Sequence, residues 1–222
     1  MPLDFRKITS DNQVSEYLAE IIGAKLMSGE KVLWLVSGGS AIKIATKTAE
    51  NLKNAPLENL IVTLIDERWG PVGHKDSNWH QLEQAGFSLP GAVLMPVLNG
   101  KNRKTTADNF AILLQSYLGE VYSISLLGIG PDGHTSGILP GSSAVNAEGL
   151  THDYEGGGYQ RVTTTAKALS LLDEAVVYAV GEAKKPVLQQ LEQDVSPAEQ
   201  PAQFLKRIKK VTIFNDYKGE PA

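Results

Sequence analysis

Apolar residues fall in two rhythms along this chain. Nearly unbroken runs occur at residues 32–37 (VLWLVS), 60–65 (LIVTLI), 122–127 (YSISLL), 175–180 (AVVYAV) and 211–214 (VTIF). Runs of this length, bounded by turn formers, predict strands covered on both faces. Between them, apolar positions recur every three or four residues. Residues 11–26 place Val14, Leu18, Ile21, Ile22 and Leu26 on one stripe, with Ser10 or Asp11 as N-cap, the pattern of an amphipathic helix. Residues 40–52, 105–118 and 182–191 carry comparable stripes. Strands alternating with helices predict βα units around a mostly parallel sheet, an α/β fold. No internal repeat or long linker interrupts the pattern, so residues 1–222 are expected to form one domain. Residues 196–201 (SPAEQP) read as a plain connection, residues 151–158 (THDYEGGG) as a loop, and about 30 residues precede the first expected strand.

In open parallel sheets, ligands bind beyond the carboxyl ends of the strands. The segments that follow the expected strands are chemically loaded. After the first comes Ser37-Gly38-Gly39-Ser40, opening a helix. Glycines let backbone approach a ligand, and a helix start offers free N–H groups to an anion. The segment is either a phosphate cradle or a tight turn with a serine cap, and it lacks the GxxxxGK[ST] spacing of a P-loop. After the second comes Asp66-Glu67-Arg68, with Asp76-Ser77 as an N-cap for a helix beginning near Asn78. An arginine fork held by neighbouring acids suits a phosphate, and a surface ion pair is the alternative. Lys184, after the 175–180 run, is either an anion contact or an exposed lysine.

The third segment is Gly128-Ile129-Gly130-Pro131-Asp132-Gly133-His134. Its glycines match the G-x-G-x-x-G spacing of a dinucleotide-binding turn, but the context fails. An acid occupies a position that should welcome pyrophosphate, and no helical stripe follows directly. Asp153 has the offset of a ribose-binding acid but sits in the loop-like stretch, not at the end of a second strand. Acid–base chemistry fits better. Histidine is the side chain whose ordinary chemistry suits proton transfer near neutrality, Asp132 can orient the His134 ring, and the N–H groups of Gly130 and Gly133 can receive an oxyanion. The other histidines, His74, His80 and His152, have no metal-ligand spacing.

Composition narrows the partners. The chain has 222 residues, 42% hydrophobic and 21% charged, and no cysteine. It is long enough to bury a core without disulfide or metal staples, and zero cysteines suit a reducing cytoplasm. Net charge is −4, and the only basic cluster is residues 206–210 (KRIKK), which argues against a nucleic-acid partner. No run approaches the roughly 18 apolar residues that cross a bilayer, and residues 1–13 lack a signal-peptide core, so no membrane partner is expected. Oligomeric state is not indicated.

Taken together, these segments resemble the 6-phosphogluconolactonase family. The matching stretches are Ser37 to Ser40, Asp66-Glu67-Arg68 with Asp76-Ser77-Asn78, and Gly128 to Ser136 reaching Leu139-Pro140-Gly141. Arg161-Val162-Thr163 and Gly181-Glu182-Ala183-Lys184 complete the set. The chain departs from the family in having Ser40-Ala41 where a hydroxyl–Pro pair is frequent. It also has Ser136-Gly137 where Ala-Ser is frequent. The resemblance implies a three-layer, doubly wound, Rossmann-like sheet similar to glucosamine-6-phosphate deaminases and ribose-5-phosphate isomerases. It implies hydrolysis of 6-phosphogluconolactone, a small phosphorylated sugar lactone, without cofactor or metal. On that reading Ser37, Gly38, Gly39, Ser40, Arg68 and Lys184 anchor the phosphate, and His134 is the base oriented by Asp132. Asp66, Glu67, Asn78, Gly130, Gly133 and Arg161 support them. The alternatives are an amino-sugar phosphate deaminase or isomerase with Asp66 as base, and a non-catalytic sugar-phosphate sensor.

Overall fold

The computed structural model describes residues 3–222; Met1 and Pro2, the first two residues of the expected domain, lie outside the described residues. In chain order the elements begin with β1 (Asp4–Lys7), α1 (Asp11–Met27), β2 (Val32–Val36), α2 (Ile42–Asn51) and β3 (Leu60–Leu64). Next come β4 (Asp66–Arg68), α3 (Asn78–Gln84), β5 (Val93–Leu94), α4 (Arg103–Tyr117) and β6 (Tyr122–Gly128). The remainder is β7 (Thr151–Gly156), β8 (Tyr159–Thr164), α5 (Ala166–Ser170), β9 (Glu174–Tyr178), α6 (Lys185–Leu191), β10 (Lys210–Asn215) and β11 (Glu220–Pro221). Eight strands form one sheet in the order β11-β1-β10-β9-β6-β2-β3-β5, with every neighbouring pair parallel. All five apolar runs are strands of this sheet. Every residue of β2, β3 and β9 is buried, as strands covered on both faces require.

The helices follow from their stripes. In α1, Val14, Leu18, Ile22 and Leu26 are buried against the sheet, and the Gln13 side chain accepts from the Ser10 N–H at 3.2 Å to close the first turn. Residues 40–52 and 182–191 depart from a continuous helix. Each begins as a short 3-10 turn, Gly39–Ala41 and Glu182–Lys184, before α2 and α6. Gly39 at φ +63° and Gly181 at φ +111° hold left-handed backbone, which postpones the regular helix.

Two other expectations are corrected. Residues 151–158 are not a loop: Thr151–Gly156 pairs with Tyr159–Thr164 as a hairpin. Its glycines are concentrated in the turn, where Gly157 and Gly158 take φ +61° and +78°, the two positive angles a tight hairpin needs. The segment before β2 is also part of the sheet, because β1 pairs with β10 and β11. Its four residues, DFRK, are too few to show a period.

Topology places the site. From β2 the chain moves to β3 and β5 on one side, then returns to β6, β9 and β10 on the other. The loops after β2 and β6 therefore diverge, opening a crevice at the carboxyl edge. A second feature reaches toward it. Past Ile65, whose N–H bonds Val36 O at 2.9 Å, the chain leaves β3 and joins an antiparallel sheet of order β4-β8-β7. This small sheet stands over the edge of the large one. Among the described residues no helix is long and apolar enough to cross a membrane.

Candidate active site

A cavity of about 240 Å³ lies at the crevice between β2 and β6. The loop after β2, the loop after β6 and strand β4 meet there, joined by Arg161 of β8 and Lys184 after β9.

The β6 loop is folded tightly on itself. Thr135 Oγ1 donates to Gly128 O at 2.8 Å, Gly130 N to His134 O at 2.8 Å, and Gly133 N to Gly130 O at 2.9 Å. Asp132 and His134 are thereby brought together, with Asp132 Oδ1 2.6 Å from His134 Nδ1 and 3.2 Å from its backbone N. Gly130 is a glycine for a steric reason: a Cβ there would lie 2.1 Å from His134 Nδ1. Gly133 takes φ +84° and packs on Gln200, and its carbonyl accepts from Ala202 N at 2.9 Å. Residues 196–201 are thus more than a connection, since the buried Gln200 braces the loop from behind. The N–H groups of Gly130 and Gly133 are spent on the turn, so neither is free for an oxyanion. Burial would raise the Asp132 carboxyl, but His134's charge and its hydrogen bonds outweigh it and hold the pKa below its usual value.

Strand β4 divides its three residues by function. Glu67 is fully buried and accepts from Arg68 N at 2.7 Å, Ser77 Oγ at 2.8 Å, Asn78 N at 2.6 Å and Trp79 N at 3.1 Å. It satisfies the first N–H groups of α3, which Ser77 caps through His80 N at 3.1 Å. Burial pushes the Glu67 carboxyl above its usual range, with those donors opposing. Asn78, positioned by this arrangement, donates to Asp66 O at 3.0 Å. It also lies so close to Gly38 that a Cβ there would be 2.2 Å from Asn78 Oδ1. The β2 loop and β4 are therefore locked together through one amide. The Asp66 carboxylate is buried, 3.9 Å from Arg161 Nη1, and closely packed against Gly137. Burial raises its pKa, against the pull of Arg161, His134 and Arg68.

Positive charge gathers at the same cavity. Arg68 and Arg161 are register partners across β4 and β8. The Tyr159 ring lies 4.4 Å from the Arg68 guanidinium and 5.6 Å from that of Arg161. Arg68 Nη1 also donates to Asp76 O at 3.4 Å. Lys184 Nζ donates to Ile129 O at 2.5 Å from across the loop. Partial burial lowers its pKa, while Asp132 opposes the shift.

Ser37, Gly38, Gly39, Ser40, Asp66, Arg68, Asn78, Gly130, His134, Arg161 and Lys184 all border the cavity. Glu67 supports it from behind, Gly133 shapes the turn, and Asp132 reaches it through His134. His74, His80 and His152 stand apart; His74 Nε2 is engaged with Arg68 O at 2.9 Å. Two residues escaped the sequence reading. Tyr159 was detectable only as the strand neighbour two before Arg161, on the same face. Ser136 stood inside the loaded segment, but nothing in the sequence marked its backbone, which takes φ +52°.

A parallel α/β sheet whose crevice brings an Asp–His pair and three cations to one cavity defines a Rossmann-like fold with a site suited to a small anionic molecule. The chain belongs to the family described as glucosamine-6-phosphate isomerases/6-phosphogluconolactonase, whose family model matches residues 9–214. It is 29% identical over 210 residues to a 6-phosphogluconolactonase of Rhizobium meliloti (strain 1021), covering 87% of this chain and 89% of that one. A crystal structure of a 6-phosphogluconolactonase from Shewanella baltica OS155 superposes with a TM-score of 0.83 at 23% identity, covering 96% of this chain and 97% of that one. A monomeric glucosamine-6-phosphate deaminase superposes with a TM-score of 0.79 at 18% identity, covering 97% of this chain and 98% of that one. At these identities the two structures speak to the fold.

Proposed function

We propose that this chain hydrolyses 6-phospho-D-glucono-1,5-lactone to 6-phosphogluconate, the lactonase step of the oxidative pentose phosphate pathway. The observation that carries the reading is the Asp132–His134 pair, 2.6 Å apart, with His134, Arg68, Arg161 and Lys184 bordering one cavity. That spacing suits a substrate with an anion at one end and an electrophilic carbonyl at the other. The named relative from Rhizobium meliloti supports the same chemistry.

In the proposed reaction Arg68, Lys184 and the Ser37–Ser40 loop hold the phosphate, which orients the lactone. His134 Nδ1 is occupied by Asp132, leaving Nε2 to take a proton from a water molecule as its oxygen attacks the lactone carbonyl carbon. The tetrahedral intermediate collapses, the bond from the carbonyl carbon to the ring oxygen breaks, and His134 returns its proton to that oxygen. The product carboxylic acid then ionises in water. The chemistry calls for no cofactor, and the cysteine-free chain suits the cytoplasm.

The test is lactone hydrolysis by purified protein, measured against the spontaneous rate, beside His134→Ala. The expected result is strong acceleration by the wild type and loss of about 10²–10⁴-fold in the variant. No acceleration by the wild type, with turnover of glucosamine-6-phosphate instead, overturns the lactonase reading in favour of the deaminase or isomerase alternative.

A further inference from the structure

The Asp132–His134 pair stands on an open lip of the protein. The two side chains are 50% and 40% exposed, so core packing does not hold them in place. The residue between them, Gly133, is buried, and what lies behind it fixes where the pair stands. A Cβ on Gly133 would fall 2.8 Å from Gln200 Cγ and 3.3 Å from Gln200 Cα. The loop therefore rests on the stem of one side chain. The Ala202 N–H donates to Gly133 O at 2.9 Å, which clips the loop to the same segment.

Gln200 is itself immobilised from the other side. It is 1% exposed, and a buried amide is tolerated only when its polar atoms are paired. Its Nε2 donates to Val187 O at 2.7 Å, and its Oε1 accepts from Gln203 Nε2 at 2.6 Å. Gln203 Nε2 also donates to Gln190 O at 3.2 Å. Val187 and Gln190 both belong to α6, the helix that begins directly after Lys184. Gln200 does not border the cavity. It joins, from behind, the loop that carries His134 to the helix headed by Lys184.

We propose that Gln200 is a positioning residue: wedged between Gly133 and α6, it sets the spacing between the Asp132–His134 pair and Lys184. For its kinetic consequence the inference rests on the lactonase reading. A substrate held at Lys184 presents its carbonyl at a fixed distance, and the base must meet it there. Misplacement by about 1 Å can cost on the order of 10²-fold in rate.

The experiment compares wild type, Gln200→Ala and Gln200→Met. Methionine keeps the unbranched stem against Gly133 and drops the amide. In lactone hydrolysis Gln200→Ala is expected to lose about 10- to 100-fold in kcat with KM nearly kept, and Gln200→Met to recover most of it. Hydrogen exchange of residues 128–136 reads the position of the loop without any substrate. Exchange there should quicken in Gln200→Ala and return close to wild type in Gln200→Met, with residues 37–51 unchanged in all three proteins. Wild-type kcat and exchange in Gln200→Ala overturn the inference, as does a failure of Gln200→Met to recover them. Equal quickening of residues 37–51 also overturns it, because the effect is then a general loosening. A wild type inactive on the lactone overturns the lactonase reading, and the exchange measurement still decides the positioning.

Discussion

Arg68 and Arg161 stand directly opposite each other across β4 and β8, two like charges paired in one antiparallel register. Such a pair is unfavourable in isolation. Tyr159 offers its ring to both guanidiniums, and Asp66 lies 3.9 Å from Arg161. The small sheet therefore presents a net cation to the cavity, ready for an anion. Removing the aromatic platform should disorder both arginines without touching the base. Tyr159→Leu is expected to raise KM about 3- to 10-fold, with kcat nearly kept, and Tyr159→Phe to restore the wild-type value. Steady-state kinetics on the three proteins decides it; a fall confined to kcat counts against the platform.

Gly130 offers a way to break the acid–base pair without removing either member. Its φ is not positive, so alanine fits the backbone, but the new Cβ would occupy the position of the His134 ring. Gly130→Ala is expected to lose roughly 10²–10⁴-fold in kcat. The melting temperature should change little, because the clash falls on a loop side chain. Circular dichroism melts beside turnover assays separate the two effects.

Glu67 is expected to matter for stability first. Alanine there leaves the N–H groups of Arg68, Asn78 and Trp79 and the Ser77 hydroxyl without their acceptor. Buried orphan donors cost about 1–3 kcal/mol each before relaxation, so a loss of about 3 kcal/mol is expected. For a chain of this size that corresponds to a fall of roughly 6–12 °C in Tm. Thermal denaturation of Glu67→Ala tests it, and an unchanged Tm would show that α3 does not depend on this carboxylate.

Lys184 sets a pH dependence. Burial lowers its pKa, so in the free site it releases its proton below the ordinary lysine value of about 10.4. On the proposed reading the charged form holds the phosphate, so binding is full below the shifted pKa and weakens as pH rises through it. Calorimetric binding of 6-phosphogluconate should therefore begin to weaken before the pH reaches the ordinary lysine value. In Lys184→Arg, which stays charged over this range, affinity should stay flat. An equal decline in both proteins would assign the effect to another group.

The five inner strands β10, β9, β6, β2 and β3 were legible because they are largely buried on both faces and the helices beside them are amphipathic, patterns that survive in sequence alone. That residues 37–40, Arg68, His134 and Lys184 would share one cavity was legible because strand ends in such sheets meet at one edge. What stayed hidden depended on contacts between distant segments. Strand β4 follows β3 after a single residue, so its change of sheet leaves no periodic mark. The hairpin was masked by the glycines of its turn. Gly130 and Gly133 read as oxyanion donors, because glycine signals a close approach but does not say what approaches: here it is a histidine ring and Gln200.

The hairpin turn at Gly157–Gly158 lies outside the main sheet, whereas one arm it joins, β8, carries both Tyr159 and Arg161. On the proposed reading, the Asp132–His134 pair and the two arginines are thus mounted on separately built platforms that share one cavity. Lengthening or shortening that turn can change which anions are admitted while the Asp132–His134 pair keeps its geometry. A fold arranged in this way can acquire new substrates through a surface hairpin without first dismantling its chemistry.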